Sequence, residues 1–304
     1  IVALTADEEG GPHNGIQWLL EHHRQLIDAA FAINEGGGGR MRDGKKIFNG
    51  VQLSEKVYQS FQLEITDPGG HSSLPRKDNP IYHMARALNN IANYDFPVHL
   101  NQGTYTYFER MAEIETGQRA IDMKGIIQDP PVASAVKNLS EDPSFNALLR
   151  TTCVATMLSA GHAQNALPQT ATAVVNCRIL PNEDPEKIKA QLVTLIDNDS
   201  IKVTPLNPAD PSPPTTMDPV VFASIEKVTE NMWPDITVVP TMVTGATDGR
   251  LTRLAGIPTY GVSGIFIEYG DIRAHGKDER IPVESYYEGQ EFLYQLTKEL
   301  TQPQ

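Results

Sequence analysis

Cysteine is almost absent: Cys153 and Cys177 are the two in 304 residues. Two cannot form the disulfide framework of a chain this long, and neither sits in a Cys-x-x-Cys zinc pattern. Their spacing suggests neighbouring strands, and buried thiols are the reading that follows. Basic residues are also short, with 25 Lys and Arg against 38 Asp and Glu and a net charge of -13. That balance excludes nucleic acid and anionic membrane as partners, because both need clustered cations to displace counterions. Missing too is any apolar run near the roughly 20 residues that cross a bilayer, so the chain reads as soluble. There is no signal peptide, no internal repeat, no low-complexity tract and no His-Glu-x-x-His helix. The compartment stays open, because residues 1–6 read as the middle of a buried strand with no initiating Met before it.

What is present is enough apolar material, 40% of the chain, for a substantial core. Single cores rarely grow beyond roughly 250 residues, so two domains are expected. Residues 1–6, 15–27 and 29–33 read as strand, helix and strand, a βαβ unit of a mostly parallel sheet with helices on both faces. After Gly50 the pattern changes. Residues 57–65 alternate with period two as an antiparallel strand does, and residues 80–91 form a helix with Pro80 in its first turn. Strands over 152–158 and 171–180, a helix over 185–196 capped by Asp184, and a strand over 201–205 complete a small α+β layer. Residues 97–150 show no clear period. Prolines from Pro205 to Pro214 mark a return linker. Beyond it, helices over 222–232, 251–255 and 282–300 and strands over 237–242 and 259–262 resume the first pattern. The expected division is 1–56 with 207–304 as one α/β domain, and 57–206 as an inserted α+β domain.

Acidic motifs follow the first two strands, where open α/β sheets carry their sites. In Asp7-Glu8-Glu9-Gly10-Gly11, neighbouring acids diverge, so one can ligate a metal while the other acts as general base on its water. Glu8 as base and Glu9 as ligand is the favoured assignment, against a solvated helix start with Asp7 or Glu8 as its cap. Glu35 stands between an apolar strand and Gly36 to Gly39, where backbone can fold closely around a ligand. His275 lies in a polar turn with Asp278 and Glu279 placed to orient it. His71 follows Gly69-Gly70, a tight turn that exposes the ring. Arg178 interrupts an apolar strand and implies an anionic partner, either a structural carboxylate or a substrate.

Taken in series, Asp7-Glu8-Glu9, Asn34-Glu35-Gly36, Gly69-Gly70-His71-Ser72-Ser73, Asn165-Ala166-Leu167-Pro168, Asn176-Cys177-Arg178, Gly245-Ala246-Thr247-Asp248 and His275-Gly276-Lys277-Asp278-Glu279 resemble the co-catalytic zinc aminoacylase and carboxypeptidase family. Its members include glutamate carboxypeptidase, aminoacylase and succinyl-diaminopimelate desuccinylase. The long 97–150 segment is most similar to the branch of Gly-X carboxypeptidases and N-acyl amino acid hydrolases.

The resemblance implies a zinc-peptidase-like α/β fold with an inserted lid or dimerisation domain, a homodimer formed through that domain, and a small peptide or N-acyl amino acid as substrate. It implies two zinc ions about 3.5 Å apart activating one water. Glu8 would be general base, Glu9 and His275 ligands of one zinc, and Glu35 a ligand of the other. His71 would stabilise the oxyanion. Arg178 and Asn165 would hold the substrate carboxylate, with the Thr247 turn lining the same pocket. The family's His-x-Asp motif, source of further ligands, occurs nowhere in the 304 residues. The resemblance therefore implies an internal start at Ile1, on the order of 100 or more residues upstream, and weak zinc binding by this piece. Two other readings stand beside a hydrolase of amides next to a carboxylate: a non-catalytic lid and dimerisation fragment, and a ureide or amidine hydrolase on the same scaffold.

Overall fold

The computed structural model describes residues 1–10 and 12–302, and these divide into two compact units. Unit 1 comprises Ile1–Glu55, Leu100–Leu149 and Ser212–Gln304; unit 2 comprises Lys56–His99 and Arg150–Pro211. Elements are numbered in chain order across both.

Unit 1 holds α1 (Gly15–His22), β1 (Ala32–Asn34), β2 (Gly38–Arg42), β3 (Lys45–Glu55), α3 (Gln102–Ile114), α4 (Gly117–Ile126), α5 (Ala133–Ser140) and α6 (Pro143–Leu149). After the excursion through unit 2 come α8 (Pro219–Met232), β10 (Thr237–Val243), α9 (Gly249–Leu254), β11 (Thr259–Gly261), β12 (Phe266–Glu268) and α10 (Val283–Thr301). The sheet runs β1-β11-β3-β2-β12, with β10 also paired to β3. It is mixed with parallel pairs in the majority, as expected: β1 with β11, β3 with β10 and β2 with β12 are parallel, while β2 with β3 and β3 with β11 are antiparallel. The core forms where Val51 and Leu53 of β3 and Val238 of β10 meet Val221, Ile225 and Val228 of α8 and Phe292 and Leu296 of α10. Trp233 lies between Phe266 and Phe292, at centroid distances of 4.7 and 5.5 Å. Fully burying each such side chain stabilises by about 1.5–3 kcal/mol.

One expectation fails in unit 1, and contact draws one boundary differently. Residues 1–6 form no strand, and Ile1, Val2 and Leu4 are exposed. An apolar run states a preference for burial, but a strand also needs a neighbour offering free backbone groups in register. Residues 100–149, assigned by sequence to the inserted domain, cluster with unit 1 instead. The reason is contact: Arg42 makes a two-pronged ion pair with Glu115 (2.6 and 3.3 Å), and Arg110 reaches Glu226 of α8 at 2.9 Å. The segment also has its own buried faces, with Phe108, Met111, Met123, Ile126 and Leu149 at 0% exposure.

Unit 2 is built from β4 (Val57–Thr66), β5 (Gly70–His71), α2 (Pro80–Ala92), β6 (Thr152–Ala160), β7 (Ala166–Leu167), β8 (Thr170–Ile179), α7 (Pro185–Ile196) and β9 (Lys202–Pro205). Its four-stranded antiparallel sheet runs β6-β8-β4-β9. Alternate residues of β4 and β8, including Phe61, Leu63, Val175 and Ile179, pack on Met84, Ala87 and Ile91 of α2 and on Ile188, Leu192 and Ile196 of α7. Both helices start where their sequences predict, with Pro in the first turn; the expected cap Asp184 accepts from Glu186 N, and Asn79, not foreseen as a cap, accepts from Ile81 N. The cysteines are a correction. Cys153 and Cys177 face each other directly across the β6–β8 ladder and are joined in a disulfide, not left as free thiols. Sequence spacing indicated adjacent strands but could not indicate register, and register alone decides whether two side chains meet.

Candidate active site

In unit 1 the turn after residue 6 brings Glu8 and Glu9 to the carboxyl end of β1, where Glu35 follows Asn34 directly. Asp7 adopts a left-handed φ of 61°, and its carboxylate accepts from His13 N at 3.2 Å. Neither Asp7 nor Glu8 caps α1; Asn14 does, accepting from Gln17 N. That removes the reading of the acidic cluster as a helix cap.

The Glu8 carboxyl is pushed up to about 7, first by burial, then by the Glu35 charge and a hydrogen bond shared with Glu35, then by Asp248 and Glu9. Carboxylates crowded this way hold a proton near neutrality, the range suited to general acid–base work. Asp248 is the member whose role the sequence did not show. Buried at the start of α9, it accepts from Asn14 Nδ2 at 2.6 Å, tying the first helix to the cluster. The signal available was its place in the Gly245-Ala246-Thr247-Asp248 turn.

His275 joins from the loop after β12, with φ at 64° and Nδ1 at 3.8 Å from Glu9 Oε2. Its expected orienting acids are otherwise engaged. Asp278 pairs with Arg273, and Glu279 accepts from the His275 backbone N at 3.3 Å, not from the ring. Thr247 also differs from expectation: its N–H and hydroxyl both donate to Glu55 Oε2, at 2.9 and 3.2 Å. Glu55 is 1% exposed and ion-paired to the buried Arg253 at 2.8 Å. Burial raises the Glu55 carboxyl while Arg253 pulls it back. The Thr247–Asp248 turn is thereby anchored from below by a buried ion pair that sequence reasoning missed. An adjacent acid and base, Glu55-Lys56, at the end of an apolar strand was the available signal.

The glycines after Glu35 have a structural explanation. Gly37 has φ of 60°, and a Cβ there would lie 2.3 Å from Gly261 O and 2.5 Å from Gly50 O. The close approach expected around a ligand is an approach to the protein's own backbone.

As metal donors, Glu9, Glu35 and His275 are the right kinds of group for zinc, and mutual repulsion among Glu8, Glu35 and Asp248 is what a cation would relieve. Among the described residues, however, no three His, Cys, Asp or Glu side chains converge as ligands of one ion.

In unit 2 the two-residue ladder of β5 and β7 sets His71 opposite Ala166, and Ser72 N donates to Asn165 O at 3.0 Å. His71 and Asn165 are thus neighbours. Ser73 N donates to His71 Nδ1 at 3.2 Å, which gives that nitrogen the lone pair and leaves the proton of the neutral ring on Nε2. Arg178, the penultimate residue of β8, lies over the ring of its cross-strand partner Tyr58, with Cζ 4.8 Å from the centroid.

Comparison with known proteins gives a consistent picture. Residues 53–204, half of the chain, match the family model described as the M20 peptidase dimerisation domain. Over 250 residues the chain is 28% identical to probable carboxypeptidase S-like 2 of Dictyostelium discoideum, covering 82% of this chain and 48% of that protein. It is 26% identical over 309 residues to the human N-fatty-acyl-amino acid synthase/hydrolase PM20D1, covering 97% and 60%. The solved structure of an M20 family metallo-carboxypeptidase, Sso-CP2 from Sulfolobus solfataricus, superposes with a TM-score of 0.61 at 18% identity, covering 96% of this chain and 68% of that one. The chain spans about half to three-fifths of the length of the curated relatives it matches.

Proposed function

The chain belongs to the M20 peptidase family, whose dimerisation domain it carries, and on that premise we propose that it serves the hydrolysis of an amide bond next to a free carboxylate. Its substrates would be small peptides or N-acyl amino acids, the classes named for the carboxypeptidase and acyl-amino-acid relatives. The observation that carries the reading is the cluster of Glu8, Glu9, Glu35, Asp248 and His275, with one carboxyl poised at about 7.

Glu8 is the proton carrier. Near neutral pH it can take a proton from the attacking water and return it to the leaving amine, the two transfers an amide hydrolysis needs. Glu9, Glu35 and His275 would hold zinc, which when bound supplies Lewis-acid polarisation and lowers the pKa of water. Nε2–H of His71 is free to donate to the oxyanion of a tetrahedral intermediate. Arg178, its planar face against Tyr58 at 4.8 Å, presents a guanidinium fork suited to the substrate carboxylate, assisted by Asn165. Asp248, anchored through Thr247 to Glu55, positions the acidic cluster.

The partner is a second copy of the chain. The dimerisation-domain match and the open edge of β6, where Val154, Met157 and Leu158 are each more than 60% exposed, support association through unit 2. A second reading, a dimerising piece without turnover, is favoured by the want of three converging ligands among the described residues.

One assay separates the two: hydrolysis of N-acyl amino acids and dipeptides with and without added zinc, alongside zinc stoichiometry after dialysis. Metal-dependent turnover that Arg178→Ala abolishes for carboxylate-bearing substrates supports the hydrolase. Dimers with no zinc and no turnover support the second reading.

A further inference from the structure

Unit 1 contains a cleft of about 710 Å³ that the proposed proton transfer and carboxylate binding do not use. We propose that it binds the aliphatic chain of an N-acyl amino acid; the inference rests on the amide-hydrolase reading for its choice of ligand and on the cleft for everything else.

Three wall segments lie within a few residues of the acidic cluster and its Thr247 support along the chain. Gly37 and Gly38 follow Glu35, Thr244 precedes the Thr247 turn, and Tyr269 to Ile272 precede His275. The opposite wall is the inserted helical segment, through Tyr107 of α3 and Ala147 and Leu148 of α6. The 100–149 segment thus closes one side of a pocket that the sheet alone would leave open.

The lining chemistry selects the ligand. Phe48, Tyr107, Leu148, Met242, Val243 and Ile272 make the surface mostly apolar. Arg40 is the one charged side chain on the wall among the described residues, and it donates to Gly39 O at 3.3 Å. No acid lines the cleft among those residues, so a cationic side chain would find no counter-charge. A methylene takes about the volume of a water molecule, ~30 Å³, so a saturated chain of about 12–16 carbons fills roughly 350–500 Å³. No single amino-acid side chain occupies the space comparably. A pocket of this size, apolar, with few polar groups and adjacent to titratable residues, has the usual attributes of a small-molecule site.

The test is calorimetric titration of the intact chain with acetyl-, octanoyl- and dodecanoyl-glycine and with dodecanoate, each in monomeric form. Affinity is expected to rise with chain length by up to about fourfold per buried methylene. The heat capacity change should be negative. Ala147→Phe fills the cleft, and Ile272→Glu places a charge at a rim position that is 61% exposed and so tolerant of substitution. Each is expected to weaken dodecanoyl-glycine at least tenfold with circular dichroism unchanged. Chain-length-independent binding, or tight binding that survives both variants, would overturn the proposal. So would an acetylated apolar dipeptide binding as tightly as dodecanoyl-glycine. Because the readout is binding without turnover, an inactive enzyme leaves this result standing, and failure to bind leaves the hydrolase assay untouched.

Discussion

Replacing Lys56 with methionine is expected to stabilise the protein at acidic and neutral pH and to destabilise it above pH 10. Lys56 is 1% exposed, and its ammonium donates to Arg150 O at 2.7 Å and, at 3.4 Å, to Thr152 Oγ1. Burial pulls its pKa from 10.5 down to about 7; Glu183 opposes this and Arg178 adds to it. Between pH 7 and 10.5 the unfolded chain therefore holds one more proton than the folded protein, so stability rises with pH across that window. Below pH 7 both states are protonated and the fold carries the whole cost of a buried ammonium. At 1.36 kcal/mol per tenfold, that cost is about 5 kcal/mol. Methionine is unbranched and apolar and follows a similar path through the core, but it leaves the Arg150 carbonyl without its donor, which costs about 1–3 kcal/mol. The variant should gain about 2–4 kcal/mol at pH 6 and lose about 1–3 kcal/mol at pH 10.5. Urea unfolding of both proteins at pH 6, 8 and 10 measures this. Wild-type and variant stabilities that run parallel across the three pH values would refute the reasoning, because the argument requires them to cross.

Two further predictions concern the acidic cluster and its support. The Glu8 carboxyl, raised from 4.5 to about 7, keeps its proton in the fold while the unfolded chain loses it, so its contribution to stability falls as pH rises from 4.5 to 7. Glu8→Gln should stabilise the fold at pH 8 by about 1 kcal/mol after solvent screening, read by urea unfolding, and change little at pH 4.5; an equal change at both would count against repulsion as the cause. Glu55→Gln strips the buried Arg253 of its 2.8 Å partner and should cost about 3–5 kcal/mol in urea unfolding. Joint replacement by Glu55→Leu and Arg253→Met should cost less than the sum of the two single changes, and strict additivity would show that the two groups do not act as a pair.

Much of unit 2 was legible because its signals are local. Pro80 and Pro185, preceded by the caps Asn79 and Asp184, start α2 and α7 where the sequence places them. The period-two runs of β4 and β8 likewise announce a half-buried antiparallel pair. Residues 97–150 were harder although they carry a capping box, Asn101 with Thr104, at the start of α3. Their apolar positions are interrupted by Gly117, Gly125 and Pro130-Pro131, so no single period persists long enough to register.

The sequence by itself determined the order of the acidic motifs, the scarcity of Lys and Arg and of long apolar runs, and the Asp184 cap, all of which are read from composition or from residues a few positions apart. Tertiary structure alone decided which distant groups meet: Asn14 with Asp248, Glu55 with Thr247 and Arg253, Cys153 with Cys177, and the 100–149 helices with unit 1 rather than unit 2. It decided against a strand at residues 1–6 for the same reason. Hydrogen-bond pairing, burial and charge coupling are sums over neighbours in space, and chain order carries those neighbours only where the local backbone already dictates them.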